Sequence, residues 1–330
     1  LKIAIAGAGI TGTYCYSLLK KDGFHVDLFD RPHKTACGIN PCAWGTSRGF
    51  RELVRAARLD PEKYVLRQFD SVLMDEVRIQ GELMTIDKPT LIQDLMEGGT
   101  AKSAPLNIED YDRVIDATGR ARFYLPPIKG DILLPCIQHM IQTEKPIENK
   151  VKLREIGYAW CFPLGLNRYH VGCGSLAGDP RKLLKQLGWL DDGSSSPEMK
   201  TLCSCSGKVR LTGPYDALPF VTDGPRDGIW GIGEAIGCVA PLAGDGIIPG
   251  MKSARLLLEN WDDPQGYTHA ILKEFDWMKK ERAVIEKLLT GSQLGIKEAW
   301  VLRKNSKRMG MQVGLKEAAK FVRALRAIGS

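Results

Sequence analysis

Several common protein classes are excluded by what this sequence does not contain. No stretch approaches the roughly 18 unbroken apolar residues that a membrane-spanning helix needs. The most apolar run, 229–242, is interrupted by Glu234. The nine cysteines, at 15, 37, 42, 136, 161, 173, 203, 205 and 238, include no C-x-x-C pair. Zinc-ribbon and iron–sulfur patterns are therefore missing, and no metal is expected. An odd set of thiols without a framework spacing fits a reducing compartment. The five histidines (25, 33, 139, 170, 269) do not cluster along the chain, and none marks itself as a general base. There is no internal repeat and no recognised nucleic-acid motif, so nucleic acid is not an expected partner. No secretory leader pattern opens the sequence, which gives the expectation of a cytoplasmic protein.

Glycine, by contrast, is abundant at 35 of 330 residues, with 44% hydrophobic and 26% charged residues. That is an ordinary globular composition with room for one large or two interleaved domains. The most informative glycines come first. Residues 2–6 form a short apolar run of the kind buried on both faces in a parallel sheet. Gly7, Gly9 and Gly12 follow at G-x-G-x-x-G spacing. This pattern lets the chain turn sharply, approach a pyrophosphate and open a helix, whose N-terminus favours phosphate. Residues 13–21 then read as a helix stopped at Asp22-Gly23, and 25–29 as a second strand ending in Asp30. A carboxylate at that distance suits the ribose hydroxyls of an adenosine. The context on both sides predicts dinucleotide binding.

Farther along, a loop rich in Gly, Pro and Cys (31–45) precedes a helix near 48–58, then strands near 64–69, 72–79 and 82–86. A helix is expected over 90–96, and a strand from Tyr111 runs into the tight turn Asp116-Ala-Thr-Gly119. Strand-like runs at 152–162 and 168–174 lie beside a helix capped by Asp179 with Pro180 at its first position. The buried-strand pattern returns at 229–235 and leads through 237–248 to a helix ending near 261. The last seventy residues or so read as mostly helical. The expected organisation is split: a nucleotide-binding domain from 1–62, 87–125 and 214–262, a second domain from 63–86 and 126–213, and a helical tail, 263–330.

Four segments together resemble the geranylgeranyl reductase family of flavoproteins, which share the para-hydroxybenzoate hydroxylase-like fold. They are Gly7-x-Gly9-x-x-Gly12 with Asp30; Asp112-x-Val-Ile-Asp116-Ala-Thr-Gly119; Gly157-Tyr158-Ala-Trp160-Cys-Phe162-Pro163 followed by Val171-Gly172-Cys-Gly174; and Gly233-Glu234 through Pro241-Leu-Ala-Gly244-Asp245-Gly246-Ile247. The Tyr-x-Trp-x-Phe-Pro segment is the most specific of them. The resemblance implies an α/β protein: a Rossmann-like FAD-binding domain, an inserted mixed or antiparallel β-sheet substrate domain, and a helical C-terminal tail.

It also implies FAD as cofactor, held by Gly7, Gly9, Ile10, Thr11, Gly12, Asp30, Arg31, Cys37, Gly38, Gly119, Glu234, Gly244, Asp245, Gly246 and Ile247. Glu234 stands where the family usually has Asp, which would make its contact with the cofactor longer or water-mediated. Helix N–H groups after Gly244 would face the flavin edge that gains negative charge on reduction. The substrate would be a polyprenyl (geranylgeranyl) lipid whose C=C bonds accept hydride from reduced flavin.

Tyr158, Trp160, Phe162 and Pro163 would line its cavity; the three aromatics share one strand face and would serve equally as ordinary core. Cys37, or water, would supply the proton at the opposite carbon, and Cys37 also reads as a small buried hydrophobe. Cys42 and Trp44 share its loop and compete for any such role. The chain is shorter than other members between 60 and 112, which bears on the substrate tunnel. An external donor (ferredoxin, a deazaflavin or a nicotinamide cofactor) would recharge the flavin. Alternative readings are a monooxygenase or halogenase of the same fold, or a non-catalytic FAD electron carrier.

Charge adds one further expectation. Nine Lys/Arg against two Glu lie in 296–330, so this segment carries the whole +7 excess of the chain. Within 316–328, Ala318, Val322 and Leu325 fall on one helical face and Lys316, Lys320 and Arg323 on another. Such a helix suits peripheral contact with an anionic membrane, here its inner face, and suits a solvated face on a packed helix as well.

Overall fold

The computed structural model describes residues 1–31, 42–47, 49–154, 156–189, 199–224 and 226–328, apart from the side chains of 154 and 324–328. The chain opens with β1 (Lys2–Ala6), α1 (Ile10–Lys21) and β2 (His25–Phe29). It continues through β3 (Gly45–Ser47), α2 (Gly49–Ala56), the hairpin β4 (Val65–Met74) and β5 (Val77–Ile86), α3 (Lys88–Leu95) and β6 (Arg113–Asp116). A long excursion then forms β7 (Leu133–Thr143), β8 (Lys150–Arg154), β9 (Gly157–Gly165), β10 (Arg168–Ser175), α4 (Pro180–Gln186) and β11 (Met199–Arg210). The chain returns with β12 (Val221–Thr222), β13 (Ile229–Gly231) and α5 (Ile247–Glu259). It ends in α6 (Pro264–Glu274), α7 (Trp277–Leu289), α8 (Ile296–Arg308), β14 (Met311–Gln312) and α9 (Leu315–Ile328).

Two sheets result. The first has the order β12-β13-β6-β1-β2, parallel except for β12. Ile3, Ala4 and Ile5 of β1 and Val114 and Ile115 of β6 have no exposed surface, because α1 and α5 cover the sheet with a continuous apolar core. The second sheet runs β11-β7-β10-β9-β8-β4-β5-β14, with β3 also paired to β5. It is antiparallel apart from the β4–β8 pair. The fold is thus α/β: a Rossmann-like parallel sheet, a mixed, mainly antiparallel second sheet and C-terminal helices.

The structure redraws some predicted boundaries. The run 72–79 is not one strand: Asp75, at φ 52°, turns the chain from β4 into β5. Likewise 152–162 is divided between β8 and β9 at Ile156, at φ 50°. Each turn coincides with a break in the alternation, at Asp75-Glu76 and at Arg154-Glu155, which reading each run as one strand passes over. β3 and β14, which lie within the stretches assigned to the nucleotide domain and the tail, both pair with β5 of the second sheet. The α4 cap forms as expected, with Asp179 Oδ1 accepting from the Arg181 N–H at 2.9 Å.

The tail is docked rather than free. Ala318, Phe321 and Val322 of α9 are at most 5% exposed and share a core with Val72, Ile79 and Val151 of the second sheet. Two residues of the apolar stripe that the sequence offered to a membrane, Ala318 and Val322, are therefore covered by protein.

Candidate functional site

The carboxyl edge of the parallel sheet is where ligands bind in folds of this type, and the glycine loop lies there. Gly7 sits at φ 108°, and a Cβ on it would come within 2.3 Å of the Ala117 carbonyl oxygen. A Cβ on Gly12 would lie 1.9 Å from the Gly7 carbonyl oxygen, so this glycine lets α1 approach the loop. Gly9 is different: a Cβ there would meet nothing within 4 Å. It is also the N-cap of α1, makes no side-chain cap bond, and is followed by a first turn without acidic residues. Open space beside an uncapped helix N-terminus is what a pyrophosphate requires. Ile10 begins the helix. Thr11 faces α5, where a Cβ on Gly250 would lie 2.2 Å from its Oγ1.

Asp30 is held at the same edge. The Gly7 N–H donates to the Phe29 carbonyl at 2.7 Å, placing the loop against the end of β2. Asp30 Oδ1 accepts from the Arg31 N–H at 2.9 Å, and the Arg31 guanidinium lies 5.0 Å from the Phe123 ring centroid. After β6, buried Asp116 pins the turn by accepting from Thr118 N–H (2.9 Å), Thr118 O–H (2.6 Å) and Tyr124 N–H (2.8 Å). Gly119 follows at φ 63°, and a Cβ on it would lie 3.2 Å from Glu234 Oε2.

Glu234 has a firm protein partner. Its Oε1 accepts from the Arg210 N–H at 2.8 Å. Burial pushes its carboxyl pKa up, with Arg210 opposing the rise. The Arg210 side chain donates to the Glu234 carbonyl at 2.6 Å, to the Arg120 carbonyl at 2.8 Å and to both oxygens of Asp131. Arg210 ends β11, so this cluster ties the second sheet to the parallel one. Sequence reasoning missed Arg210, since a lone arginine at a strand end carries no motif.

The segment before α5 is a tight loop. Ala240 N–H donates to the Asp245 carbonyl at 2.9 Å, Gly244 N–H to the Ala240 carbonyl at 2.8 Å, and Ile247 N–H to Asp245 Oδ1 at 2.9 Å. Asp245 thus occupies a helix-start donor, while Gly246 is the N-cap. Burial pushes the Asp245 pKa up to about 6, against the pull of the Ile247 and Ile248 N–H groups. The second sheet meets this loop through Tyr158, whose hydroxyl donates to the Ala243 carbonyl. A Cβ on Gly244 would lie 2.9 Å from that hydroxyl.

Tyr158, Trp160 and Phe162 stand opposite Gly174, Gly172 and His170 in the β9–β10 register, so they share one face. Trp160 fills the space above Gly172, where a Cβ would lie 2.3 Å from its ring. Its Nε1–H donates to Gln138 at 3.3 Å, and the Gln138 amide donates to the Cys42 carbonyl at 3.0 Å. Phe162 packs on Gly45 and, at 6.1 Å between centroids, on Phe69. The Pro163 carbonyl accepts from the Thr85 hydroxyl at 2.6 Å. These contacts join the aromatic strand to the loop 42–45. Cys37 and Gly38 lie outside the described residues.

His170 belongs to this face too, although no sequence motif flagged it; its place opposite Phe162 was the available signal. It packs edge-on to Trp44 at 4.5 Å. Its Nδ1 is buried without a hydrogen-bond partner among the described residues. Burial depresses its pKa to about 4, with a backbone bond at Ala43 opposing. Among the described residues no group of three or more His, Cys, Asp or Glu could hold a metal.

No family model matches the chain. An uncharacterized protein of Methanocaldococcus jannaschii is 23% identical over 87% of this chain and 90% of its own length. Among solved structures, a geranylgeranyl bacteriochlorophyll reductase-like protein from Thermoplasma acidophilum superposes with a TM-score of 0.68 at 15% identity, covering 98% of each chain. A tryptophan 6-halogenase from Streptomyces toxytricini gives 0.64 at 14% identity, over 96% of this chain and 83% of its own. At these identities the likeness is one of fold, and the fold is the para-hydroxybenzoate hydroxylase-like one.

Proposed function

We propose that the chain is an FAD-dependent oxidoreductase that reduces C=C bonds of a polyprenyl lipid. The observation that carries the FAD assignment is the contrast within the glycine loop. Gly7 and Gly12 are crowded by backbone, whereas Gly9 faces open space at an uncapped helix start. Ile10 to Gly12 would present N–H groups to the pyrophosphate, and Asp30 would hold the adenosine ribose at the end of β2. Bound FAD would supply the two-electron redox chemistry. The reductase assignment is supported by the Tyr158-x-Trp160-x-Phe162-Pro163 strand lying against the loop before α5.

The residues of the chain have separable roles in this reading. Tyr158 fixes the loop 243–247 through Ala243, which sets the position of the α5 N-terminus. In this reading Trp160, Phe162 and Trp44 would line the path of the isoprenoid chain and keep water out. Gln138 holds the Trp160 indole and the Cys42 backbone in register. The proton for the second alkene carbon is assigned to Cys37 by resemblance alone.

The deciding experiment is anaerobic. The purified yellow protein is photoreduced, mixed with a geranylgeranyl lipid, and followed by flavin absorbance and product mass. Reoxidation accompanied by a gain of one H2 per double bond is expected. Reduced protein that is inert to the lipid, and that with O2 incorporates oxygen or halogen into an aromatic compound, would replace the reductase with a monooxygenase or halogenase. Exchange of electrons with a protein partner only would leave an electron carrier.

A further inference from the structure

The docking of α9 raises the question of what the basic tail presents outward. Ala318, Phe321 and Val322 are buried, while Lys316, Lys320 and Arg323 are exposed. The preceding helix, α8, has a different outer face. Ile296 is 80% exposed and Trp300, one turn later, is 44% exposed; Leu289 at the end of α7 is 41% exposed. Lys297, Lys304, Lys307 and Arg308 are exposed on the same helix. The only acid in α8, Glu298, is turned inward and accepts from Lys287 at 2.7 Å. The Arg303 guanidinium lies 5.2 Å from the Trp300 ring centroid. An isolated exposed leucine needs no explanation. An isoleucine and a tryptophan on one helical face, ringed by cations and free of exposed acid, are a different matter.

We infer that the outer face of α8 docks the protein on an anionic lipid surface, with Trp300 and Ile296 entering the headgroup boundary and Lys297, Lys304 and Lys307 meeting lipid phosphates. Tryptophan has an apolar body and one N–H donor, which suits the wet–apolar boundary. The charge is complementary, since 296–330 holds the whole positive excess of the chain. No helix among the described residues is long and apolar enough to cross a membrane, so the contact lies along the surface.

α8 is also firmly joined to the candidate site. Arg308 donates to buried Glu281 Oε1 at 2.7 Å and stacks on Trp277, 3.4 Å from its centroid. Glu281 Oε2 accepts from the Leu242 N–H at 3.4 Å, in the loop that leads to α5. A bilayer that holds α8 therefore also sets the orientation of the aromatic face and the α5 loop relative to the lipid. This places the site beside its proposed substrate pool.

The test is co-sedimentation of the full chain with phosphatidylcholine vesicles, with and without phosphatidylglycerol. Binding to the anionic vesicles alone, reversed by salt, is expected. Lys297→Gln and Lys304→Gln should each weaken binding about fivefold. The double variant Ile296→Ser/Trp300→Ser should weaken it more, with a circular-dichroism spectrum that shows the helices retained. The α9 pair Lys316→Gln/Lys320→Gln should have the smaller effect. Equal binding to neutral vesicles, no binding to either, or parental binding by the α8 variants would overturn the inference. So would a dimer in light scattering that Ile296→Ser/Trp300→Ser abolishes, since the face would then serve a second copy of the chain. The assay needs no turnover, so its failure leaves the reductase assignment standing.

Discussion

Two glycines three residues apart should respond to alanine in opposite ways. At Gly12 the added methyl would lie 1.9 Å from a backbone oxygen of Gly7, a neighbour that cannot rotate aside. The loop or α1 must move, at a cost of about 3 kcal/mol by analogy with overpacked cores. For a chain of this size that is several degrees in melting temperature. At Gly9 the backbone already has φ −71° and ψ 178°, which alanine adopts freely, and no atom lies within 4 Å of the new methyl. The folding cost is confined to a poorer N-cap, about 0.5–1 kcal/mol. The methyl would, however, stand in the space assigned to the pyrophosphate. Gly9→Ala should therefore purify folded and colourless, with FAD affinity reduced at least about a hundredfold through lost charge-assisted hydrogen bonds. The assays are thermal melts of the apoproteins and flavin titration followed by absorbance and fluorescence quenching. A Gly9→Ala protein that retains stoichiometric, tightly bound FAD would refute the assignment of this loop as the phosphate cradle.

Other expectations follow from buried charge. His170, with its pKa depressed to about 4, takes up a proton more readily when unfolded. Its stabilising contribution is full above the unfolded value near 6.5 and lost as pH falls through about 4. By pH 4.5 that loss is about 2.5 kcal/mol. Urea unfolding of the wild type and His170→Gln at pH 7 and 4.5 should differ by roughly that amount; parallel pH profiles would contradict it. Asp245 has the opposite sign. Its pKa is raised to about 6, so stability present below the unfolded value is lost as pH rises through 6. Asp245→Asn should remove this component, gaining on the wild type as pH rises from 5 to 7.5 by no more than about 3 kcal/mol. Arg210→Met should cost about 3–5 kcal/mol, since it strands Asp131 and two backbone carbonyls at the junction of the two sheets. Denaturant melts without cofactor read this directly, and an unchanged midpoint would show that the cluster contributes little.

Legibility in the sequence followed the range over which each feature is encoded. The βαβ unit at the start was visible because β1, the glycine turn, α1 and β2 are consecutive, and each carries its own local signal. The shared face of Tyr158, Trp160 and Phe162 was visible because strand geometry alternates strictly. Features made by distant segments were not. Arg210 meets Glu234, Arg120 and Asp131 through pairings that only the assembled sheets create. His170 gains its environment from Trp44, far away in sequence. The amphipathic pattern of α9 was read correctly as a pattern, but periodicity cannot say whether a partner is lipid or protein. Here Ala318, Phe321 and Val322 face the second sheet.

The strand order of the parallel sheet has a consequence for how the chain is made. β6 pairs on one side with β1 and on the other with β13, whose first residue, Ile229, follows the whole second-sheet excursion. During synthesis, β6 must therefore wait with one edge unpaired while β7 to β11 emerge and pair among themselves. Its apolar residues are fully buried only in the finished molecule. Long-range parallel pairing of this kind is slow, and an exposed hydrophobic edge is prone to aggregate. A chain stopped near residue 125 would lack β13 and α5 together, so the nucleotide-binding half cannot be excised as a contiguous fragment. Truncation beyond 262 fails as well, since Tyr267 and Ile271 of α6 and Ala318 of α9 have no exposed surface; expression trials should keep the chain whole, and chaperone demand should peak late in translation.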